Sequence, residues 1–344
     1  MEHPEADPAN LHSVSNQDDQ VRLGLLAGKS REALVALRRR TPASPLIESK
    51  VLSALTGARV LLKCDQMLPT GAFKFRGAFN KLVSLPEARR EMGVITASTG
   101  NHGLAIATVA AEMGIAATIH APEQASSAKL EAIRALGASV VLHAADPLTI
   151  ELEARRISER TGQVFVSPYN DLDVIAGQGT CGLEIIDEAQ VDAVVLSVGG
   201  GGLLCGVGAV LRTECPKAEL VAVWPENAQS LFHSMRAGRA VEVEEFPTIA
   251  DGTAGGVEPG SVTISLAGEI APRSAVVPER DIASAMVLLA RDERLIVEGS
   301  AALAVAGLRS CAPRLKGKTV AVILCGRNIS YEKFEQVFTA GKGE

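Results

Sequence analysis

From about residue 90 the chain repeats one unit: a short apolar run, a glycine or polar turn, then a segment of helical period. GVITAS (93–98), IAATIHA (115–121), ASVVLHA (138–144), QVFVSPY (163–169), DAVVLSV (192–198), ELVAVWP (219–225) and KTVAVILCG (318–326) each lead into such a segment. Runs that are apolar on both faces suit strands covered by helices on both sides, and their alternation with helices is that of a parallel sheet. Gly114, Gly137 and Gly162 end three of the helical segments, where a left-handed residue suits the C-terminus. The fold class is therefore α/β, with doubly wound, mostly parallel sheets.

In such sheets a ligand lies beyond the carboxyl ends of the strands. That rule selects STGN after GVITA, GGGG after VVLSV and CGRN after VAVIL. Between residues 242 and 262 the repeat lapses into a glycine-rich loop, EVEEFPTIADGTAGGVEPGSV, and long loops in compact domains are usually functional.

Composition removes several function classes. With 344 residues, 47% of them hydrophobic, the chain can bury a large core. A formal charge of -6 and a basic run of only Arg38-Arg39-Arg40 argue against nucleic-acid binding. No apolar run is long enough to cross a bilayer. Cys64, Cys181, Cys205, Cys215, Cys311 and Cys325 form no C-x-x-C pair and read as reduced thiols of a cytoplasmic protein. Residues 1–20 carry neither a signal core nor an arginine-rich amphipathic pattern, and are expected to be a disordered tail.

Four successive glycines, Gly199 to Gly202, stand where a strand passes into a helix. Without Cβ atoms the backbone can bring several N–H groups onto an anion, at the positive end of a helix. A tight turn is the plainer reading, but it needs fewer glycines. The loop is neither a dinucleotide fingerprint nor a P-loop, so it suits a single phosphate. TGAFKFRGAFN (70–80) gathers Phe73, Phe75 and Phe79, three of the eight phenylalanines, around Lys74. Alone, Lys74 is an ordinary cation at a helix start. Desolvated in an apolar pocket it would keep a neutral amine able to form an imine, and an aldehyde cofactor with one phosphate would use both features. Ser98 and Thr99 serve equally well as N-caps or as ligand groups. Asn101 offers a neutral donor, and His102 is a base or an orienting group. Cys325 is a core thiol, or else a near-neutral partner for a pyridine nitrogen.

Together TGAFKFRGA, STGNHG, IAGQGTCGLEI, SVGGGGL, ADGTAGG, VEGSAALA and LCGRN occur in the order found in the fold-type II enzymes that use pyridoxal 5'-phosphate. From about residue 41 onward the chain resembles the threonine/serine dehydratase group, with serine racemase and hydroxyectoine-utilisation dehydratase as relatives. The resemblance implies a two-domain, tryptophan synthase β-like fold. Its large cofactor-binding domain would span 21–92 plus 171–344, its small domain 93–170, and the assembly would be a homodimer. It implies Lys74 as Schiff-base lysine and general base. Phe73, Asn101, Gly199, Gly200, Gly201, Gly202, Leu203, Glu298 and Cys325 would bind the cofactor. Ser98, Thr99, Asn101 and His102 would hold the substrate carboxylate, and Gly252, Gly255 and Gly256 would belong to the substrate loop. The implied reaction is β-elimination of water from L-threonine or L-serine, with proton help from the cofactor's phosphate. A larger β-hydroxy amino acid derivative is the alternative substrate. Serine racemisation, with Thr99 as opposite-face acid, is another reading, and a catalytically silent cofactor-binding protein is the non-enzymatic one. Where relatives place a metal-binding glutamate this chain has Trp224, so no metal site is expected.

Overall fold

The computed structural model describes residues 17–98, 100–125 and 127–340. Helix Gln17–Arg38 begins inside the stretch expected to be a tail, so residues 17–20 belong to the helix. The helix is held because Leu23, Leu26, Ala27, Ala33 and Leu37 bury one of its faces.

Ten strands follow: β1 (Leu46–Ser49), β2 (Arg59–Lys63), β3 (Val94–Ala97), β4 (Ala117–Pro122), β5 (Ser139–His143), β6 (Val164–Phe165), β7 (Ala193–Ser197), β8 (Glu219–Pro225), β9 (Arg273–Val277) and β10 (Thr319–Ile323). They form a six-stranded sheet, β1-β2-β10-β7-β8-β9, and a four-stranded sheet, β5-β4-β3-β6. Only the β1–β2 pair is antiparallel. β10 enters between β2 and β7, with Val320 opposite both Val60 and Ala193. The chain's last strand therefore lies at the centre of the larger sheet. Its side chains are buried from Val320 to Ile323, as a strand covered on both faces requires. QVFVSPY forms a shorter strand than its apolar run suggests, because Pro168 cannot donate to a ladder and the chain turns there.

Each sheet has its own core. Val194, Val195, Leu220, Val221, Val322 and Leu303 lie in the larger one. The smaller one joins Ile106, Val109, Ile119 and Ile133 to Leu37, Phe75, Ala78 and Leu82, so it recruits residues from well before position 93. Phe75 and Phe79 fall four apart on helix Lys74–Ser84 and stack at 5.9 Å in this direction. They thus serve the smaller core, and Phe73 is the phenylalanine of the motif that reaches the cavity described below.

One helix, Leu172–Glu188, sets the spacing of the site. It carries the glycines of IAGQGTCGLEI and packs between helices Lys74–Ser84 and Gly202–Glu214. A Cβ on Gly177 would lie 2.6 Å from the Arg76 carbonyl oxygen, so only glycine permits this approach. Asp171 caps this helix, accepting from the N–H groups of Asp173 and Val174.

Candidate active site

The carboxyl ends of β3, β7 and β10 open onto one cavity of about 530 Å³ at the junction of the two sheets. Phe73, Lys74, Ser98, Asn101, His102, Gly199 to Gly202, Leu203, Glu298 and Cys325 all line it. So do Gly252, Gly255 and Gly256 of the long loop. Thr99 lies outside the described residues.

Lys74 is the first residue of its helix, and that end is tied to the central strand. Phe73 N–H donates to the Cys325 carbonyl at 2.8 Å, and Ala72 bridges Gly326. The Lys74 amine donates to the Pro168 carbonyl at 2.7 Å and lies 5.0 Å from the Phe73 ring centroid. Burial lowers its pKa to about 8, with Glu151, Cys325 and Glu298 opposing the shift. Two residues on, Arg76 is wholly buried and ion-paired to Asp65 and Glu184.

Past β7, Gly201 has φ +93 and opens helix Gly202–Glu214 with no side chain capping it. A Cβ on Gly199 would stand 2.8 Å from Thr253 Cα, and one on Gly200 would stand 2.5 Å from the Tyr169 ring. Crowding therefore demands glycine here, and the uncapped helix end leaves N–H groups for an anion.

Cys325 is buried with its Sγ 3.6 Å from Ser197 Oγ, and burial pushes its pKa far up, so the thiol is neutral. Asn101 Nδ2 donates to both Glu298 oxygens at 2.8 and 3.1 Å, while Asn328 Nδ2 donates to Asn101 Oδ1 at 2.7 Å. The Asn328 backbone N–H also donates to Glu298, at 3.1 Å. Burial raises the Glu298 pKa to about 7. Ser300 Oγ is buried beside this group and unpaired. His102 Nε2 lies 3.1 Å from the Val166 carbonyl, which can only accept, so Nε2 carries the proton. Burial lowers the His102 pKa to about 3, which leaves a neutral ring with Nδ1 unpaired. Ser98 Oγ accepts from Gly100 N–H at 3.2 Å in the turn before helix Asn101–Met113, whose N-cap, Gly100, makes no side-chain cap.

Sequence reasoning missed the wall formed by helix Pro147–Thr161 and the turn 167–170. Glu151 and Tyr169 line the cavity there, and Ser167 Oγ donates to Glu151 Oε1 at 2.9 Å. Lys129 also lines the cavity, its Nζ near Gly100. The turn was findable, since SPYN follows the carboxyl end of β6 just as STGN follows β3.

A glycine loop that side chains would fill, an uncapped helix end, a half-buried neutral-prone amine and a neutral thiol in one cavity fit a phosphate-bearing aldehyde cofactor. Comparisons with known proteins agree. Residues 38–326 match the family model described as pyridoxal-phosphate dependent enzyme. The chain is 39% identical over 312 residues to an L-threonine ammonia-lyase of Thermotoga maritima, covering 90% of this chain and 77% of the relative. Among solved structures it matches processed threonine deaminase isoform 2 of Solanum lycopersicum at TM-score 0.87 and 30% identity, over 99% of each chain. It also matches serine racemase of Dictyostelium discoideum at TM-score 0.81 and 31% identity, over 88% of this chain and 98% of that one. With its site built as described and most of its length matched, the chain belongs to the pyridoxal-phosphate dependent enzymes.

Proposed function

We propose that this protein is a lyase that removes water from L-threonine or L-serine and yields a 2-oxo acid and ammonium. The observation that carries the reading is Lys74: a half-buried amine, its pKa lowered to about 8, lining the cavity where three strand ends meet. The threonine ammonia-lyase and threonine deaminase among its relatives supply the substrate class.

When bound, the cofactor supplies an electron sink that acidifies the substrate's α-hydrogen. Lys74 attaches it and, as a neutral amine, takes the α-proton. The N–H groups of Gly199 to Gly202 and Leu203 would hold its phosphate. Phe73 packs beside the amine, and Asn101, kept in place by Glu298 and Asn328, would be the partner of the ring's 3-oxygen. Cys325, a neutral thiol, would be the partner of the ring nitrogen and would favour its unprotonated form. Ser98 and Asn101, at the start of helix Asn101–Met113, would receive the substrate carboxylate together with Thr99, and His102 is buried in the first turn of that helix. Gly252, Gly255 and Gly256 let the long loop pass close to the substrate.

One observation favours a second reading. The cavity extends beyond the cofactor-binding residues to Gln124, Pro147 and Leu148, which gives a β-hydroxy amino acid larger than threonine a wall to lie against. In this proposal the protein acts as a homodimer in the cytoplasm. Its small domain is the four-stranded sheet of 93–170, supported by helix Lys74–Ser84. All six cysteines are free, as a reducing compartment requires.

The test is an absorbance scan of the purified protein with added cofactor, followed by a panel of β-hydroxy amino acids read out as 2-oxo acid. A visible imine band that Lys74→Ala abolishes, with turnover of threonine or serine, is the expected result. A band without their turnover moves the reading to a larger substrate. No band even with excess cofactor refutes it.

A further inference from the structure

Lys129 is a cation in the cavity wall that the reading above leaves without a task. It lies in the first turn of helix Ser127–Ala135 and is half-buried. That helix packs on helix Asn101–Met113 through Leu130 and Ile133, both buried, and Ile133 Cδ1 lies 3.4 Å from where a Cβ on Gly103 would stand. The packing sets the Lys129 ammonium over the start of the neighbouring helix, with Nζ 3.6 Å from the place a Cβ on Gly100 would take. Among the described residues no carboxylate forms an ion pair with it. Its charge is felt by Glu298, the carboxyl that Asn101 holds, so it acts on the inside of the cavity.

The helix start beneath Lys129 is open. Gly100 is its N-cap and has no side chain to close it. Leu104 N–H donates to the Gly100 carbonyl at 3.1 Å, and the N–H groups of Asn101 and His102 stand before that bond, at the positive end of the helix dipole.

The charges of the cavity also leave Lys129 a place. An amino acid brings a carboxylate into a described lining that already contains Glu151, Asp251 and Glu298. Lys74 and Lys129 are the two lysines of that lining, and it includes no arginine. Lys74 has to be a neutral amine to take the α-proton. Burial keeps the His102 ring neutral and lowers the His120 pKa. Lys129 is thus the group left to balance the substrate's negative charge, which costs free energy if it leaves water unpaired.

Resting on the reading of this cavity as an amino-acid site, we propose that Lys129 is a substrate-binding residue whose ammonium pairs with the α-carboxylate above the open end of helix Asn101–Met113. The helix N–H groups orient the carboxylate, and Lys129 supplies the opposite charge. The pairing makes the site select free α-amino acids over their amides.

The test uses ligands without a leaving group, so it does not depend on turnover. L-Alanine carries the carboxylate and L-alaninamide does not. Each is titrated into the cofactor-loaded protein and followed by the change in cofactor absorbance. In Lys129→Met the Kd for L-alanine should rise about 10- to 100-fold, the loss of one charge-assisted contact, and that for L-alaninamide should change less than about threefold. Lys129→Arg should keep most of the affinity for L-alanine. Equal weakening of both ligands makes Lys129 structural and overturns the proposal, and no change in either overturns it too. A second measurement needs no variant. L-Alanine should protect Lys129 from acetylation by acetic anhydride, read by peptide mass, and L-alaninamide should not; equal labelling with both ligands overturns the proposal. Wild type that binds L-alanine but turns over neither L-serine nor L-threonine refutes the dehydratase reading alone. Wild type that loads the cofactor but binds no L-alanine refutes this inference as well.

Discussion

Arg76→Met tests how the helix that carries Lys74 is held. The guanidinium is 1% exposed and donates to Asp65 Oδ1 and Oδ2 at 2.7 and 2.8 Å, and to Glu184 Oε1 and Oε2 at 2.7 and 2.8 Å. Thr180 Oγ1 accepts the remaining N–H at 3.0 Å, and Ser44 Oγ lies 3.1 Å from Nη2. Removing it strands the two carboxylates unequally. Glu184 keeps Lys63 Nζ at 2.8 Å and Arg38 Nη1 at 2.8 Å. Asp65 keeps only the Ser44 hydroxyl, at 2.6 Å, among the described residues. Asp65 should therefore carry most of the loss, about 3–5 kcal/mol for a buried charge deprived of its partner. For a chain of this size that corresponds to a fall in Tm of about 4–7 °C. Asp65→Asn added to Arg76→Met should recover most of it. Glu184→Gln added instead should not, because it frees Lys63, which is as buried as Arg76. Urea unfolding of the four proteins in each double-mutant cycle gives the two coupling energies. A single-mutant loss below about 1 kcal/mol, or equal recovery by both second substitutions, would refute the reasoning.

Two further outcomes follow from the site. Gly200→Ala places a Cβ 2.5 Å from the Tyr169 ring, and overpacking of about 1–3 kcal/mol should weaken cofactor binding by roughly 5- to 100-fold in a fluorescence titration. Adding Tyr169→Ala should restore affinity, and an unchanged Kd for Gly200→Ala would show that the loop opens freely. In the cofactor-free protein Glu151 and Glu298 both have folded pKa values of about 7 against an ordinary 4.5. Their raised values favour the folded state fully below pH 4.5, and this contribution is lost as pH rises through 7. Each loss is on the order of 3 kcal/mol. The effect of Lys74 lies in another window, because its folded pKa of about 8 falls below the ordinary 10.5, so stability recovers between pH 8 and 10.5. Melts of wild type and Glu298→Gln from pH 4.5 to 7 should show a smaller decline in the variant; parallel curves would mean that Glu298 is ionised throughout.

The parts of the molecule that were legible in the sequence share one property: their signal is local. Strand ends, glycine runs and the Lys74 motif lie within a few residues of an apolar run, and the rule that ligands sit beyond strand ends needs only that run. Applied to β6 as well, it would have selected SPYN, the turn that holds Lys74 and Glu151 together. Glu151 itself was out of reach. In LTIELEARRISERT it is one of three glutamates, and Glu153 and Glu159 have the same local pattern of neighbours. What separates it is helical phase: Ile150, Ala154 and Ile157 pack into one cluster, and Glu151 is buried at the edge of their stripe. The Arg76 cluster was hidden for a different reason, because Asp65, Arg76 and Glu184 come from three segments that only the tertiary fold brings together. The same distinction accounts for the phenylalanines, which a reading by proximity places together around Lys74. A helix rotates successive residues by about 100°, so Phe75 and Phe79 were bound to share a face that Phe73 does not. Chain proximity therefore located the site, and helical phase decided which neighbours belong to it.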